Sequence, residues 1–460
     1  MNTVLSVLSV VFWGVMLLSV LVMIHEGGHY LAARAFGVRV TEFFLGLPSR
    51  WKLSRRSRGH GTEYGVTPFL LGGYNRICGM EYSDDALLAR AFSIVQREGR
   101  VSAEDVAQEL EIDIDRSYSL MVSLSDLAAI RPYYDPELGE YPTQRNYPER
   151  FETVARDANL LTVYDKGHDF DAPGATLDAQ PRPLCDAEGQ LATEVGRTYA
   201  GISFLKRIVI LIAGPLTNLL LAFVLVTSAY MTMEYSVPLN TNVLGEVHEG
   251  SLAEAAGLEA GDVVLSVDGT EVADWDGVSQ AMSAAREKGE DFEVVYERDG
   301  ARRTALVDMP EGDKVELVGV SPQVEPYHLT LFEAMRGAVG YAGMVADVAL
   351  RLIMPQHTME VLDQSTSIVG ISVMASQAVS AGVMDVIAIM AAVSMSLGFM
   401  NLLPIPPLDG GKMVMEVVEL VLRRPLSMKA RMAVSYVGIA FFVFVFVVVL
   451  RNDLLRYVIG

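Results

Sequence analysis

Two histidines four residues apart, with a glutamate beside the first, form His25-Glu26-Gly27-Gly28-His29. On a helix, residues at this spacing share a face. Both imidazoles can then bind one Zn2+, and Glu26 stands next to them as a general base for the attacking water. Gly27 and Gly28 cost a helix about 1 kcal/mol each relative to alanine. Lacking side chains, they let a substrate or another helix come close. The bland alternative is a pair of helix-end histidines at a membrane boundary. It is disfavoured because charged and polar groups at the end of a membrane span are costly unless they are used.

A zinc protease needs a third protein ligand and an open position. The other histidines, His60, His168, His248, His328 and His357, lie on none of the long apolar runs. A better candidate is Asp409, at the end of Asn401-Leu402-Leu403-Pro404-Ile405-Pro406-Pro407-Leu408-Asp409-Gly410-Gly411. Three prolines remove backbone donors and break a helix there. Irregular backbone at membrane depth is tolerated only when it is buried in protein or lines a wet cavity. Asp409 is therefore expected on a bent loop, able to turn its carboxylate toward a metal. Taken alone, this segment reads more simply as a proline-terminated helix with a turn aspartate. Topology reverses that preference.

The elements that must position these groups are membrane spans. The chain has 460 residues, 51% hydrophobic and 20% charged. Four charge-free runs, Thr3–Ile24, Ile208–Met233, Val386–Leu408 and Met432–Leu450, are long enough to cross about 30 Å of hydrocarbon. The first lacks a basic leader and a small-residue cleavage site, and it runs straight into His25, so it reads as a retained helix and not a signal peptide. Gln364–Met384, rich in Ser, Gly and Ala, reads as a surface or re-entrant segment in preference to a fifth span. Lys and Arg follow the first run (Arg34, Arg39, Arg50, Lys52, Arg55, Arg56, Arg58), precede the second (Lys206, Arg207) and fill the gap between the third and fourth (Lys412, Arg423, Arg424, Lys429, Arg431). The positive-inside rule then puts the N-terminus outside, the loop to Arg207 in the cytosol, and Ser236–Asp385 outside. The ends of spans one and three meet on the cytosolic side, so His29 and Asp409 can share one depth.

H-E-G-G-H in the first run, G-P-L-T-N (Gly214 to Asn218) in the second and N-L-L-P-I-P-P-L-D-G after the third resemble the site-2 protease family of intramembrane zinc metalloproteases. In Gly61–Gly79, G-T-E-Y and Leu71-Gly72-Gly73-Tyr74 resemble that family's membrane-associated β-hairpin. The resemblance implies a multi-pass α-helical membrane protein of about four transmembrane helices. It implies His25, His29 and Asp409 as zinc ligands and Glu26 as the base. Asn401 is implied as a polar group at the substrate or transition state, and Asn218 as a second-helix contact to hairpin or substrate. Lys412 stands where many bacterial relatives have a histidine; that position is not a ligand, so the metal set stays intact. A transmembrane substrate must unwind before attack, and an exposed strand edge near Gly61–Tyr74, with Gly72, Gly73 and Tyr74, is suited to hold it by strand addition; without the resemblance a plain surface hairpin reads equally well. The implied substrates are single-pass membrane proteins, such as anti-sigma factors or signal-peptide remnants, in the plasma membrane.

The segments read as 1–83 (first span, H-E-x-x-H and hairpin), 84–200 (cytosolic insert), 201–235 (second span), 242–310 (outer domain), 326–384 (amphipathic outer segment) and 385–460 (third and fourth spans). From Asn242 a short helix, a glycine turn, a strand and Asp268-Gly269 are similar to a PDZ domain, for which a peptide ligand and a plain steric filter are equally good uses. In the insert, Leu87–Glu98, Ser102–Leu110 and Asp115–Leu127 read as three helices of a winged-helix-like module, with Ser102 an N-cap and Gly99 a stop. Acidic residues outnumber basic ones there by roughly two to one, and the whole chain carries a net charge of −21. That balance argues against general nucleic-acid or anionic-lipid binding and favours a cytosolic protein contact or size exclusion. Two cysteines, Cys78 and Cys185, support neither a disulfide framework nor a Cys-rich metal site. A non-catalytic receptor coupling outer and inner domains is the competing function. It needs neither the ligand set nor Glu26.

Overall fold

The computed structural model describes residues 2–142, 147–309, 318–424, 426 and 428–455. Pro310, the expected end of the outer domain, and residues 456–460 of the last segment lie outside the described residues, as does the Lys429 side chain. The chain divides into two compact units, Met1–Ala229 with Met335–Gly460, and Tyr230–Ala334.

Helix α1 (Asn2–Ala35) does not stop where the apolar run ends but continues through His25 and His29. Strands β1 (Val40–Leu45), β2 (Leu53–Arg56), β3 (Glu63–Val66) and β4 (Gly73–Ile77) follow. They form one sheet in the order β2-β3-β1-β4, a larger element than the expected hairpin. The difference is β2 at one edge and β1, whose Val40 and Phe44 are buried, inserted between β3 and β4. Strand β1 runs parallel to β3 and antiparallel to β4, with Phe44 opposite Tyr74 and Leu45 opposite Gly73. Strand β4 is left as an edge, packed against α1. Gly72 takes φ +101°, a backbone conformation open to glycine at little cost.

Next come α2 (Leu88–Glu98), β5 (Arg100–Ser102), α3 (Ala103–Leu110), α4 (Ile114–Asp126), β6 (Ile130–Tyr133), β7 (Arg150–Thr153) and α5 (Ala187–Gly196). The three helices lie within a residue of the sequence expectation. Ser102 accepts from the Asp105 N–H in a full capping box, and Gly99 closes α2. Strands β5, β7 and β6 pair side by side over a core that includes Phe92, Leu120, Leu124 and Phe151. A buried charge network ties this segment to Arg39, in the connection between α1 and β1. Arg39 donates to Asp165 at 2.6 and 2.7 Å and to Glu194 at 2.5 Å, and Arg156 donates to Glu194 at 2.6 Å.

Helix α6 (Phe204–Thr232) crosses α1 where both are glycine-thin. A Cβ on Gly28 would overlap the Ala213 carbonyl, and one on Gly214 would overlap the His29 ring. Thr217 Oγ1 donates to the Ile24 carbonyl across the same contact (3.2 Å).

The second unit contains β8 (Glu234–Pro238), β9 (Leu244–Val247), α7 (Leu252–Ala255), β10 (Val263–Val267), β11 (Thr270–Glu271), α8 (Trp275–Lys288), β12 (Phe292–Arg298), β13 (Ala301–Val307), β14 (Val320–Pro322) and β15 (Val324–His328). Its main sheet runs β11-β10-β12-β13, with β14 paired to β9 and β15 to β8. Asp268-Gly269, both at positive φ, turn β10 into β11.

The chain continues through α9 (Leu331–Leu352), α10 (Thr358–Gln364), α11 (Ile368–Ala381), α12 (Val383–Leu402), α13 (Asp409–Leu422) and α14 (Met428–Leu454). Helix α11 falls in the Ser/Gly/Ala-rich stretch. Its 14 residues reach about 21 Å, short of a crossing, and it packs on α1 and α12. Helix α12 stops at Leu402, before the apolar run ends, because Leu403 turns extended ahead of Pro404, Pro406 and Pro407. Asp409 is not on a bent loop, as its sequence suggested, but is the first residue of α13. Four helices, Leu5–Ala35, Phe204–Thr232, Val383–Leu402 and Ala430–Leu454, are long and apolar enough to cross a membrane. The protein is a multi-pass membrane protein.

Candidate active site

His25 and His29 sit one turn apart on α1, and Asp409 opens α13 against them. The two Nε2 atoms are 3.2 Å apart, and each is 3.0 Å from Asp409 Oδ2. All three residues are buried. The His29 Nδ1–H donates to the Ile210 carbonyl at 2.7 Å. That bond fixes the tautomer and leaves the Nε2 lone pair facing the shared centre. The donor set fits zinc. Bonds of about 2.0 Å in a tetrahedron require ligand–ligand edges of roughly 3.3 Å, close to the spacing here. It is the one group of metal-ligating side chains this close together among the described residues.

Lys412, one turn into α13, donates to the other carboxylate oxygen, Asp409 Oδ1, at 3.2 Å. This leaves Oδ2 aimed at the imidazoles. Glu26 lies beside His25 on α1, and here the sequence reading missed a residue. Asn75 of β4 donates its Nδ2 to Glu26 Oε2 at 2.7 Å and to the Glu26 main-chain carbonyl at 3.0 Å. Its only signal was its place directly after Gly72-Gly73-Tyr74.

The remaining expected residues are distributed around this group. Gly72 and Gly73 lead into β4 alongside Val22 and Met23 of α1. Tyr74 stacks on Phe44, with ring centroids 5.4 Å apart and planes 7° from parallel. Asn218, in α6, is fully buried; its side-chain amide has no hydrogen-bond partner among the described residues. Its main-chain carbonyl accepts from Ser394 Oγ of α12 at 2.8 Å. Asn401, the penultimate residue of α12, turns its amide back to the Leu397 carbonyl at 3.0 Å, so it is not drawn into the His25–Asp409 cluster.

The model of peptidase family M50 matches residues 13–445, a stretch that includes His25, Glu26, His29, Asn75, Asn218, Asn401 and Asp409. The chain belongs to peptidase family M50. It is a site-2-type metalloendopeptidase. Among relatives of this M50 chain, zinc metalloprotease RasP of Shouchella clausii is 28% identical over 469 residues, covering 99% of each chain. Regulator of sigma-W protease RasP of Bacillus subtilis is 23% identical over 448 residues, covering 96% of this chain and 97% of the relative. The M50 match spans the second and third apolar helices and the unit between them in sequence, and takes in most of the first and fourth.

Proposed function

We propose that this M50 peptidase hydrolyses peptide bonds within or beside the transmembrane segments of single-pass membrane proteins, with zinc held by His25, His29 and Asp409 and Glu26 as general base. The observation that carries the reading is the convergence of three buried ligand atoms, all within 3.2 Å of one another, from two helices next to Glu26. When bound, zinc lowers the pKa of water toward about 7 and polarises the scissile carbonyl. Glu26 takes the proton of the attacking water and returns it to the leaving amine. The substrate, whose carbonyls are hidden in its own helical bonds, unwinds and adds to the edge of β4 at Gly72, Gly73 and Tyr74. Asn401 would swing its amide off the Leu397 carbonyl to reach the substrate, and the unpartnered amide of Asn218 serves the sheet or the substrate. The Bacillus subtilis relative is the regulator of sigma-W protease RasP, which supports anti-sigma factors, beside signal-peptide remnants, as substrates here.

The N-terminus and the 242–310 domain face outward, and segment 84–200 is cytosolic, as the Lys/Arg flanks direct. The strands and helix α8 of the outer domain support a PDZ-like fold that binds a peptide or screens out folded ectodomains. The helices α2 to α4 with the β5-β7-β6 sheet support a winged-helix-like insert whose acidic surface suits a protein contact and not nucleic acid. The test is proteomics of membranes carrying the native enzyme or Glu26→Gln. Transmembrane remnants should accumulate with the variant; identical remnant profiles would reject an intramembrane protease.

A further inference from the structure

Strand β4 and the general base are joined by a side chain. Gly73 and Asn75 are two apart in the strand and so share a face. A Cβ on Gly73 would stand 3.8 Å from the Met23 Cα, so that face looks onto α1. Met23 lies one helical turn before Glu26, so on this face of β4 Asn75 is close enough to reach Glu26, while the tight neighbour of a Gly73 Cβ would be the Phe44 carbonyl of β1 at 2.9 Å. The Asn75 amide has two N–H groups and spends them on two acceptors of the same residue, Oε2 at 2.7 Å and the main-chain carbonyl at 3.0 Å. One contact fixes the carboxylate and the other fixes the strand to the helix backbone.

Resting on Glu26 as the base, we propose that Asn75 is a positioning residue that locks the Glu26 carboxylate through Oε2, leaves Oε1 to handle the proton, and couples substrate docking on β4 to the orientation of the base. A peptide paired to β4 then sits in fixed register with the group that activates the attacking water. Asn75 itself touches neither metal nor reacting atoms. Its loss should appear in turnover and not in substrate binding.

Asn75→Leu removes the donor at similar volume, and Asn75→Asp keeps the shape while placing a carboxylate against a carboxylate. Each is measured in full-length enzyme reconstituted in vesicles, with a model single-pass peptide as substrate. A charge-assisted hydrogen bond of this kind should cost kcat about 10- to 100-fold when lost. KM and bound zinc should stay at native values, and Asn75→Gln, which keeps the donor, should recover part of the loss. In the Glu26→Gln background, substrate affinity should be the same with Asn75 or Leu. A kcat within about threefold of native for both Leu and Asp variants, or a loss carried by KM, overturns the proposal. Full activity of Glu26→Gln would reject the base assignment itself. A kcat loss in Asn75→Leu under that outcome would also overturn the coupling, because Asn75 would be acting on something other than Glu26.

Discussion

The Asp409 carboxylate has a different partner on each oxygen: two imidazoles on Oδ2 and the Lys412 ammonium on Oδ1. Lys412 is part-exposed, so its attraction is screened, but its direction matters because it selects which oxygen faces the imidazoles. Lys412→Met should weaken zinc binding roughly 10-fold, as loss of an outer partner of a metal ligand does, while Lys412→Arg should hold it; competition with a chromophoric chelator measures both. Glu26→Gln should retain zinc yet lose turnover by at least about 100-fold, since an amide cannot carry the proton. Near-native cleavage by that variant would remove Glu26 from the reaction. At this scale His25 and His29 were legible because helical spacing brings them to one side, Glu26 because it adjoins the first of them in the H-E-x-x-H pattern, and Asp409 because the charge flanks put two span ends at one depth. Asn75 was not legible. An asparagine in a strand carries no periodic signal, and its bond to Glu26 exists only once β4 lies on α1.

Helices α1 and α6 meet through absent side chains, and the two glycines of the H-E-G-G-H run are not equivalent. Gly28 is pressed against the Ala213 carbonyl and Thr217, whereas an added Cβ on Gly27 meets nothing within 4 Å. Gly28→Ala should force α6 away from His29, strip the Ile210 carbonyl from its Nδ1 and lower zinc content well below one per chain. Gly27→Ala should keep full zinc and gain up to about 1 kcal/mol of helix stability. Metal analysis and thermal melting of the pair decide it; equal zinc in both variants would show that the crossing is not tight. The sequence marked these elements unevenly. Helix existence followed from charge-free runs and caps such as Ser102, but the parallel pairing of β1 with β3 joins segments some twenty residues apart and has no local signature. The early stop of α12 and the start of α13 at Asp409 likewise depend on how Pro404, Pro406 and Pro407 turn the chain.

Across the molecule, the 84–200 segment is fastened to the connection between α1 and β1 by four buried charges. Burial alone would push the Glu194 carboxyl up, but Arg39 and Arg156 hold it below the ordinary glutamate range. Asp165 is likewise raised by burial yet held down overall by Arg39. Carboxyls depressed in the folded state contribute stability that is present above their unfolded values and lost as pH falls through the folded ones. Stability from this network should therefore be flat from about pH 5 to 8 and fall below roughly pH 4, read by tryptophan fluorescence during acid titration. Glu194→Ala, which strands Arg39 and Arg156, should cost about 3–5 kcal/mol in denaturant unfolding. The native thiols report orientation. Cys185 is exposed, whereas Cys78 is buried and its thiol is pushed up to about 12 by that burial. A membrane-impermeant maleimide should leave Cys185 untouched in intact cells and label it in inverted vesicles, with an added Arg302→Cys behaving the opposite way. Labelling of Cys185 from outside would invert the topology.

The free edge of β4 also sets a rule for inhibitors. A chain that adds to a strand edge directs its amides alternately toward and away from that edge. Extended peptidomimetics bearing a zinc-binding warhead should therefore tolerate N-methylation at every second residue and lose potency at the residues between. Helical peptides of the same composition should inhibit poorly until they fray.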